Sequence, residues 1–200
     1  MNTAKYLDRL LLKYSNTFNI YMPFMIGKET YPAYGHFFSH NEKYILVQEA
    51  NMWSADSHEH ILFWEENEVL PEHIDHAVEM IKGVLEEKLV RKGEKLPPSG
   101  HMSSLISIIL LSQKSISSDV EKQVKKFRFD KGYQFNMRGY CRGRIGVVTM
   151  EDRKVTVSPD LKGSRKLLEE VFKEVEAGKD GFLTICEKQG IACYTQEQPL

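Results

Sequence analysis

Apolar side chains at Tyr6, Leu7, Leu10, Leu11 and Tyr14 recur three and four positions apart, the one-sided stripe of an amphipathic helix over residues 4–14. The pattern then changes. Past an aromatic loop holding Pro23 and Pro32, "AYGHFFS" (33–39) and "KYILVQEA" (43–50) read as strands joined by the short polar connection "HNE", and "HEHILFWE" (58–65) reads as a third. Helical spacing returns at Ile74, Ala77, Val78, Ile81, Leu85 and Leu89, predicting a helix over 71–91. Pro71 suits its first turn, and Glu72 and Asp75 complement its positive end. Lys88, Arg91 and Lys92 complement the negative end, with Gly93 as the stop.

"EKLPPSG" (94–100) reads as a linker, because two prolines and a glycine resist regular structure. Beyond it, "SSLISIILLSQ" (103–113) reads as a buried strand, its apolar run 105–111 interrupted by Ser107. Ser118 and Glu121 have the spacing of a capping box, followed by Val120, Val124 and Phe127 at helical spacing. "YQFNMRGY" alternates, with Tyr133, Phe135 and Met137 against Gln134, Asn136 and Arg138, so a strand is expected there. "RIGVVTM" and "KVTVS" flank a turn at "EDR", and a last helix over 164–177 faces inward through Leu167, Leu168, Val171, Phe172 and Val175.

These elements imply an α+β fold, a mostly antiparallel sheet with packed helices. Both halves read helix, strands, helix, so two similar α-β-β-β-α units over 1–93 and 101–200 are one arrangement; a single sheet without a repeat is the other. In either, the halves pack as one body.

Composition adds limits. Hydrophobic residues are 42% and charged residues 28%, which excludes a disordered chain. A net charge of −1 supplies no overall field toward polyanions, but residues 1–100 hold 10 Lys/Arg against 15 Asp/Glu and residues 101–200 hold 17 against 13. "MNTAKYLDRLLLKYSN" carries charges through its apolar part, unlike a secretory signal, and "LISIILL" (105–111) is too short to span a bilayer. Three cysteines (Cys141, Cys186, Cys193) without CxxC spacing point to reduced thiols. The expected location is cytoplasmic, with no membrane partner.

Two constellations carry chemistry. From Lys122 to Arg144 stand eight Lys/Arg and one acid, interleaved with Phe127, Phe129, Tyr133, Phe135 and Tyr140. Cations neutralise phosphates and rings stack on unpaired bases, so Lys126, Arg128, Arg138, Arg142 and Arg144 are candidate ligands for nucleic acid or another anion. The competing account is that these arginines hold acids of the protein itself. The second constellation is histidine: six of seven lie between residues 36 and 76. His58 and His60 share one face of a strand, so with His36 they form a candidate metal set, with His40, Asp56, His73 and His76 nearby. No HExxH spacing accompanies them, and a histidine-rich surface is the plainer account.

Serine-hydrolase, P-loop and Rossmann motifs do not occur. Asp152-x-Lys154 has the spacing of one nuclease class but equally that of a hairpin turn, and Cys141 lies near arginines that would lower a thiol pKa. The run "HMSSLISIILLSQ" through "GRIGVVTMEDRKVTVSP" (101–159), with Lys-x-aromatic and Arg-Gly-aromatic before a Val-rich strand, resembles uncharacterised bacterial proteins; no activity or site residue comes with it.

The leading expectation is a binding or assembly protein that meets an anionic ligand, nucleic acid or a second copy of itself through the basic strand-turn-strand, with no cofactor. The alternative is a metal-dependent hydrolase using the histidines, and only that reading calls for a divalent metal.

Overall fold

The computed structural model describes residues 1–43 and 53–189. Helix α1 (Thr3–Tyr14) starts where the Asn2 side chain accepts a hydrogen bond from the Lys5 amide at 3.0 Å, and buries the stripe from Tyr6 to Tyr14. Short strand β1 (Asn19–Tyr21) follows. The aromatic loop then forms a hairpin, β2 (Phe24–Ile26) with β3 (Glu29–Tyr31), turning at Gly27 with φ 64°.

Strands β4 (Ala33–Lys43) and β5 (Trp53–Glu66) pair antiparallel along their whole length. "HNE" is therefore strand, not the expected connection, and the strand expected over 43–50 lies almost wholly outside the described residues. Helix α2 (Pro71–Glu79) continues as a π-helical segment (Met80–Val90) whose amides bond five residues back, as Arg91 N does to Glu86 O at 3.2 Å. The change of pitch alters the inward face. Leu89, expected inside, is only partly buried, while Glu86 and Val90 are turned into the core.

Strand β6 (His101–Ser112) runs parallel to β5. Helix α3 (Ser118–Lys126) is capped by Ser117, one residue before the expected position, whose hydroxyl accepts from Val120 N. Then come β7 (Phe129–Gly132), β8 (Tyr140–Thr149), β9 (Lys154–Val157), a 3-10 turn (Pro159–Ser164), α4 (Arg165–Glu176) and α5 (Phe182–Gln189). The strand expected across "YQFNMRGY" is absent. Gln134, Phe135 and Asn136 all have positive φ (47°, 54° and 66°), and Phe135 is 99% exposed, so this is a tight loop.

The main sheet has seven strands in the order β1-β4-β5-β6-β8-β7, with β9 beside the far half of β8. It is mixed, which corrects the expectation of a mostly antiparallel sheet: β5-β6 and β6-β8 are parallel, the other pairs antiparallel. The reason is connectivity. A helix stands between β5 and β6 and another between β6 and β8, and a crossover through a helix returns the chain in the same direction. Strand β5 from the first half and β6 from the second are neighbours, so the sheet crosses the 94–100 linker.

Helices cover both faces. One core joins α2, its π-helical continuation and α3 to Leu62, Ile106, Ile108, Ile145 and Val147; the other joins α1 and α4 to Ile61, Phe63, Ile109, Leu111 and Val148. Burial on both faces explains the apolar runs 108–111 of β6 and 145–148 of β8. Cys141 is a free buried thiol, whereas Cys186 is disulfide-bonded, contrary to the expectation of reduced thiols. No helix among the described residues is long and apolar enough to cross a membrane.

Candidate metal centre

Strand parity decides which histidines meet. On β4, Tyr34, His36, Phe38 and His40 point to the face that α2 covers, and across the ladder stand Leu62, His60, His58 and Asp56 in the same order. His36 faces His60 directly. One ring nitrogen from each of His36, His58 and His60 lies within 4.8 Å of the others.

The rings stand in a near-parallel stack. His36 and His60 have centroids 4.8 Å apart at 1°, and His36 and His58 5.4 Å apart at 5°. His36 Nε2 and His58 Nδ1 are 3.1 Å apart, one donating its N–H to the other. Ligands about 2.0–2.1 Å from a tetrahedral zinc sit about 3.3 Å from one another, so this pair already has the spacing of a coordination edge. The widest separation must shrink by about 1.5 Å, within reach of rotation about the broad ring torsion χ2.

His60 is anchored. Its Nδ1 lies 2.6 Å from the hydroxyl of buried Tyr34, whose ring stacks on Phe24 at 4.2 Å. The other ring nitrogen, Nε2, is buried and has no hydrogen-bond partner among the described residues. A buried polar atom without a partner costs roughly 1–3 kcal/mol, so its persistence calls for an explanation. When Nδ1 donates its N–H to Tyr34 Oη, the neutral ring keeps its lone pair at Nε2, the usual state of a metal-ligating imidazole.

Electrostatics keep all three rings neutral. Burial pushes His58 down to about 4, with His36 and His101 adding to the effect. Burial, then His36 and His58, hold His60 well below the ordinary histidine range, and burial followed by the Lys92 charge lowers His36. Neutral imidazoles offer lone pairs at pH 7 without first shedding a proton.

The remaining histidines have other work. His40 pairs with Asp56 at 2.5 Å, His73 Nδ1 accepts the Leu70 amide at 3.0 Å as part of the α2 start, and His76 pairs with Glu29 at 3.0 Å. His101, not singled out in the sequence, sits at the start of β6 and bonds Ser104. Its signal would have been the small-residue run "HMSS" opening a central strand.

The basic candidates do not converge. Arg144 is buried on the opposite face, donating to Ser107 Oγ at 2.9 Å and to the Glu59 carboxylate. Arg142 pairs with Asp130 at 2.8 Å and lies over the Tyr140 ring at 4.9 Å. Arg138 is half-buried, and its carbonyl accepts from His101. Lys126 and Arg128 are exposed at the end of α3, with Arg128 bonding the Lys125 and Phe127 carbonyls. Burial pushes the Cys141 thiol up to about 12, against a nucleophile. Asp152 receives the Thr149 hydroxyl and the Lys154 amide donates to Thr149 Oγ1 at 3.3 Å, the bonding of a hairpin turn, while the Lys154 side chain pairs with Glu121 on α3 at 2.7 Å.

A three-imidazole cluster at the polar end of this sheet face thus defines the class of site. The chain itself belongs to the family defined as a domain of unknown function (DUF8052), whose model matches residues 2–170. That match extends the sequence resemblance seen over 101–159 to most of the chain. No curated protein and no solved structure matches it.

Proposed function

We propose that this protein binds a divalent transition-metal ion of the zinc class through His36, His58 and His60, with a coordination position left for a ligand from solution. The observation that carries the reading is the bare, buried Nε2 of His60, whose opposite nitrogen Tyr34 holds in place. Three nitrogen donors and no carboxylate in the set suit zinc, copper or nickel and not magnesium or calcium. Three protein ligands with an open position are the pattern of catalytic zinc sites, so metal-dependent hydrolysis is the reaction class such a centre would serve. Anion binding through the basic strand-turn-strand has less support, because Arg142 and Arg144 already hold Asp130 and Glu59.

The test is calorimetric titration of chelator-treated, untagged protein with Zn²⁺ and, separately, Mg²⁺. Zinc uptake near one equivalent is expected, with none for magnesium. Uptake should vanish in the His58→Ala, His60→Ala double variant and weaken roughly 10–100-fold in Tyr34→Phe. No zinc uptake, or uptake indifferent to the double variant, refutes the assignment.

A further inference from the structure

The histidine face continues onto the next strand. Ser104 on β6 is the register partner of His58 on β5, and neighbouring strands run about 4.8 Å apart. Ser104 and His101 are both buried, and His101 is close enough to contribute to the lowering of His58 and His60.

With a neutral His101 ring, the hydrogen bonds here run in one direction. His101 Nδ1 lies 2.9 Å from the Arg138 carbonyl oxygen, and Nε2 lies 2.9 Å from Ser104 Oγ. A carbonyl only accepts, so Nδ1 carries the proton. Burial favours the neutral ring, which leaves Nε2 as a lone pair. Ser104 must then spend its single O–H on His101. Toward any other neighbour its oxygen offers acceptor lone pairs alone, and no second partner holds them among the described residues.

The far end of this chain is fixed by backbone contact. Gly139 follows Arg138 with φ 75°, and a Cβ there would lie 2.3 Å from the Met102 carbonyl oxygen. The loop that supplies the Arg138 carbonyl is therefore pressed against the start of β6, and a side chain at 139 would push it away.

We propose that Ser104, polarised by His101, is a positioning residue for the ligand that completes the three-imidazole centre. It selects a ligand with a proton on its donor atom, water or an alcohol, over a small anion that has none. The inference rests on the metal reading above. A protonless anion brings lone pairs against the lone pairs of Ser104; a hydroxyl ligand donates to them.

Cobalt(II) in place of zinc gives a visible d–d spectrum, and azide titration reads affinity at the open position without any turnover. Ser104→Ala and His101→Phe, which frees the Ser104 proton to turn toward the ligand, should each tighten azide roughly tenfold, the size of one hydrogen bond. Ser57→Ala, which removes a hydroxyl bonded to Ser103 on the other face, should leave it unchanged. If Ser104→Ala does not fold, His101→Phe carries the same comparison. An intact cobalt spectrum with azide affinity unmoved in these variants overturns the proposal and leaves the centre standing. Absence of any d–d bands in the unaltered protein overturns both.

Discussion

Replacing Glu86 with glutamine tests a buried charge held by three donor side chains. Glu86 is fully buried, yet its carboxylate receives Tyr133 Oη at 2.5 Å, Arg91 Nε at 2.9 and 3.1 Å, and Lys131 Nζ at 3.0 Å. Only the π-helical pitch sets Arg91 over it, five residues on. Burial alone would raise the Glu86 pKa, but the bonds from Tyr133, Arg91 and Lys131 outweigh it and hold the carboxyl below its ordinary value. In Glu86→Gln an amide N–H₂ meets those donors head-on, and the charge assistance of the remaining bonds is lost. Hydrogen bonds to charged groups are worth about 1.5–3 kcal/mol each. The side chains of Arg91 and Lys131 are 19% and 41% exposed and can turn to water, whereas the Tyr133 hydroxyl cannot. We expect a net loss of about 3 kcal/mol, which lowers Tm by roughly 6–12 °C in a chain of this length. Circular dichroism melts at pH 7 read it directly. The sign with pH is fixed as well. A depressed folded-state pKa gives stability that is present above the unfolded value, about 4.3, and lost as pH falls toward the folded value. The gap between wild type and variant should therefore narrow below about pH 4. A Tm difference under about 2 °C at pH 7, or a gap that stays constant on acidification, refutes this reasoning.

Gly139→Ala combines a left-handed backbone with a clash against Met102 O, and should lose about 2–4 kcal/mol in urea unfolding. A loss below about 0.5 kcal/mol would show that the loop moves freely off β6. Phe135→Asn places a residue that tolerates positive φ at a 99% exposed position, so stability should hold or rise by up to about 1 kcal/mol; a loss greater than that would mean Phe135 packs against something. Glu174 joins α4 to α1 through Arg9 at 2.9 Å and Lys13 at 3.1 Å, and the Arg9 bond is the main reason its pKa is held at about 2. Glu174→Gln should cost about 1 kcal/mol at pH 7, a cost that fades as pH falls from about 4 toward 2; a pH-independent cost would assign it to packing.

Helices α1 to α4 were legible through their three-and-four spacing, whereas α5 buries no residue and left no such stripe. The strand directions were misread although a signal for them existed. The apolar runs 108–111 of β6 and 145–148 of β8 have no polar face, which a sheet open to water on one side does not permit, and a helix lies between β5 and β6 and another between β6 and β8. The 133–139 loop misled for the opposite reason. Tyr133, Phe135 and Met137 alternate by coincidence, and the informative residues were the glycines at 132 and 139 that close the loop. A Cβ at Gly132 would lie 2.1 Å from Asn136 Oδ1, so the loop folds back onto its own start.

For the site, the sequence carried parity but not register. That His58 and His60 share a face follows from their spacing alone. That His36 joins them depends on β4 running straight through "HNE" to pair with β5; a turn at 40–42 would have set His36 opposite the 43–50 segment instead. The basic cluster fails by the same geometry. Arg142 and Arg144 point to the face opposite the histidines, where Glu59 and Ser107 wait on β5 and β6. Both polar lines cross the sheet where β5, β6 and β8 begin, while the later halves of those strands, Leu62 and Phe63, Ile108 to Leu111, Val147 and Val148, are apolar on both faces. Open parallel sheets usually take ligands at the carboxyl ends of their strands, in the loops before the helices. Here the candidate ligands come from the faces of the antiparallel pair β4-β5 and not from those loops, so the cluster follows the polar end of the sheet, under the C-terminus of the α2 continuation that brings Lys92 near His36.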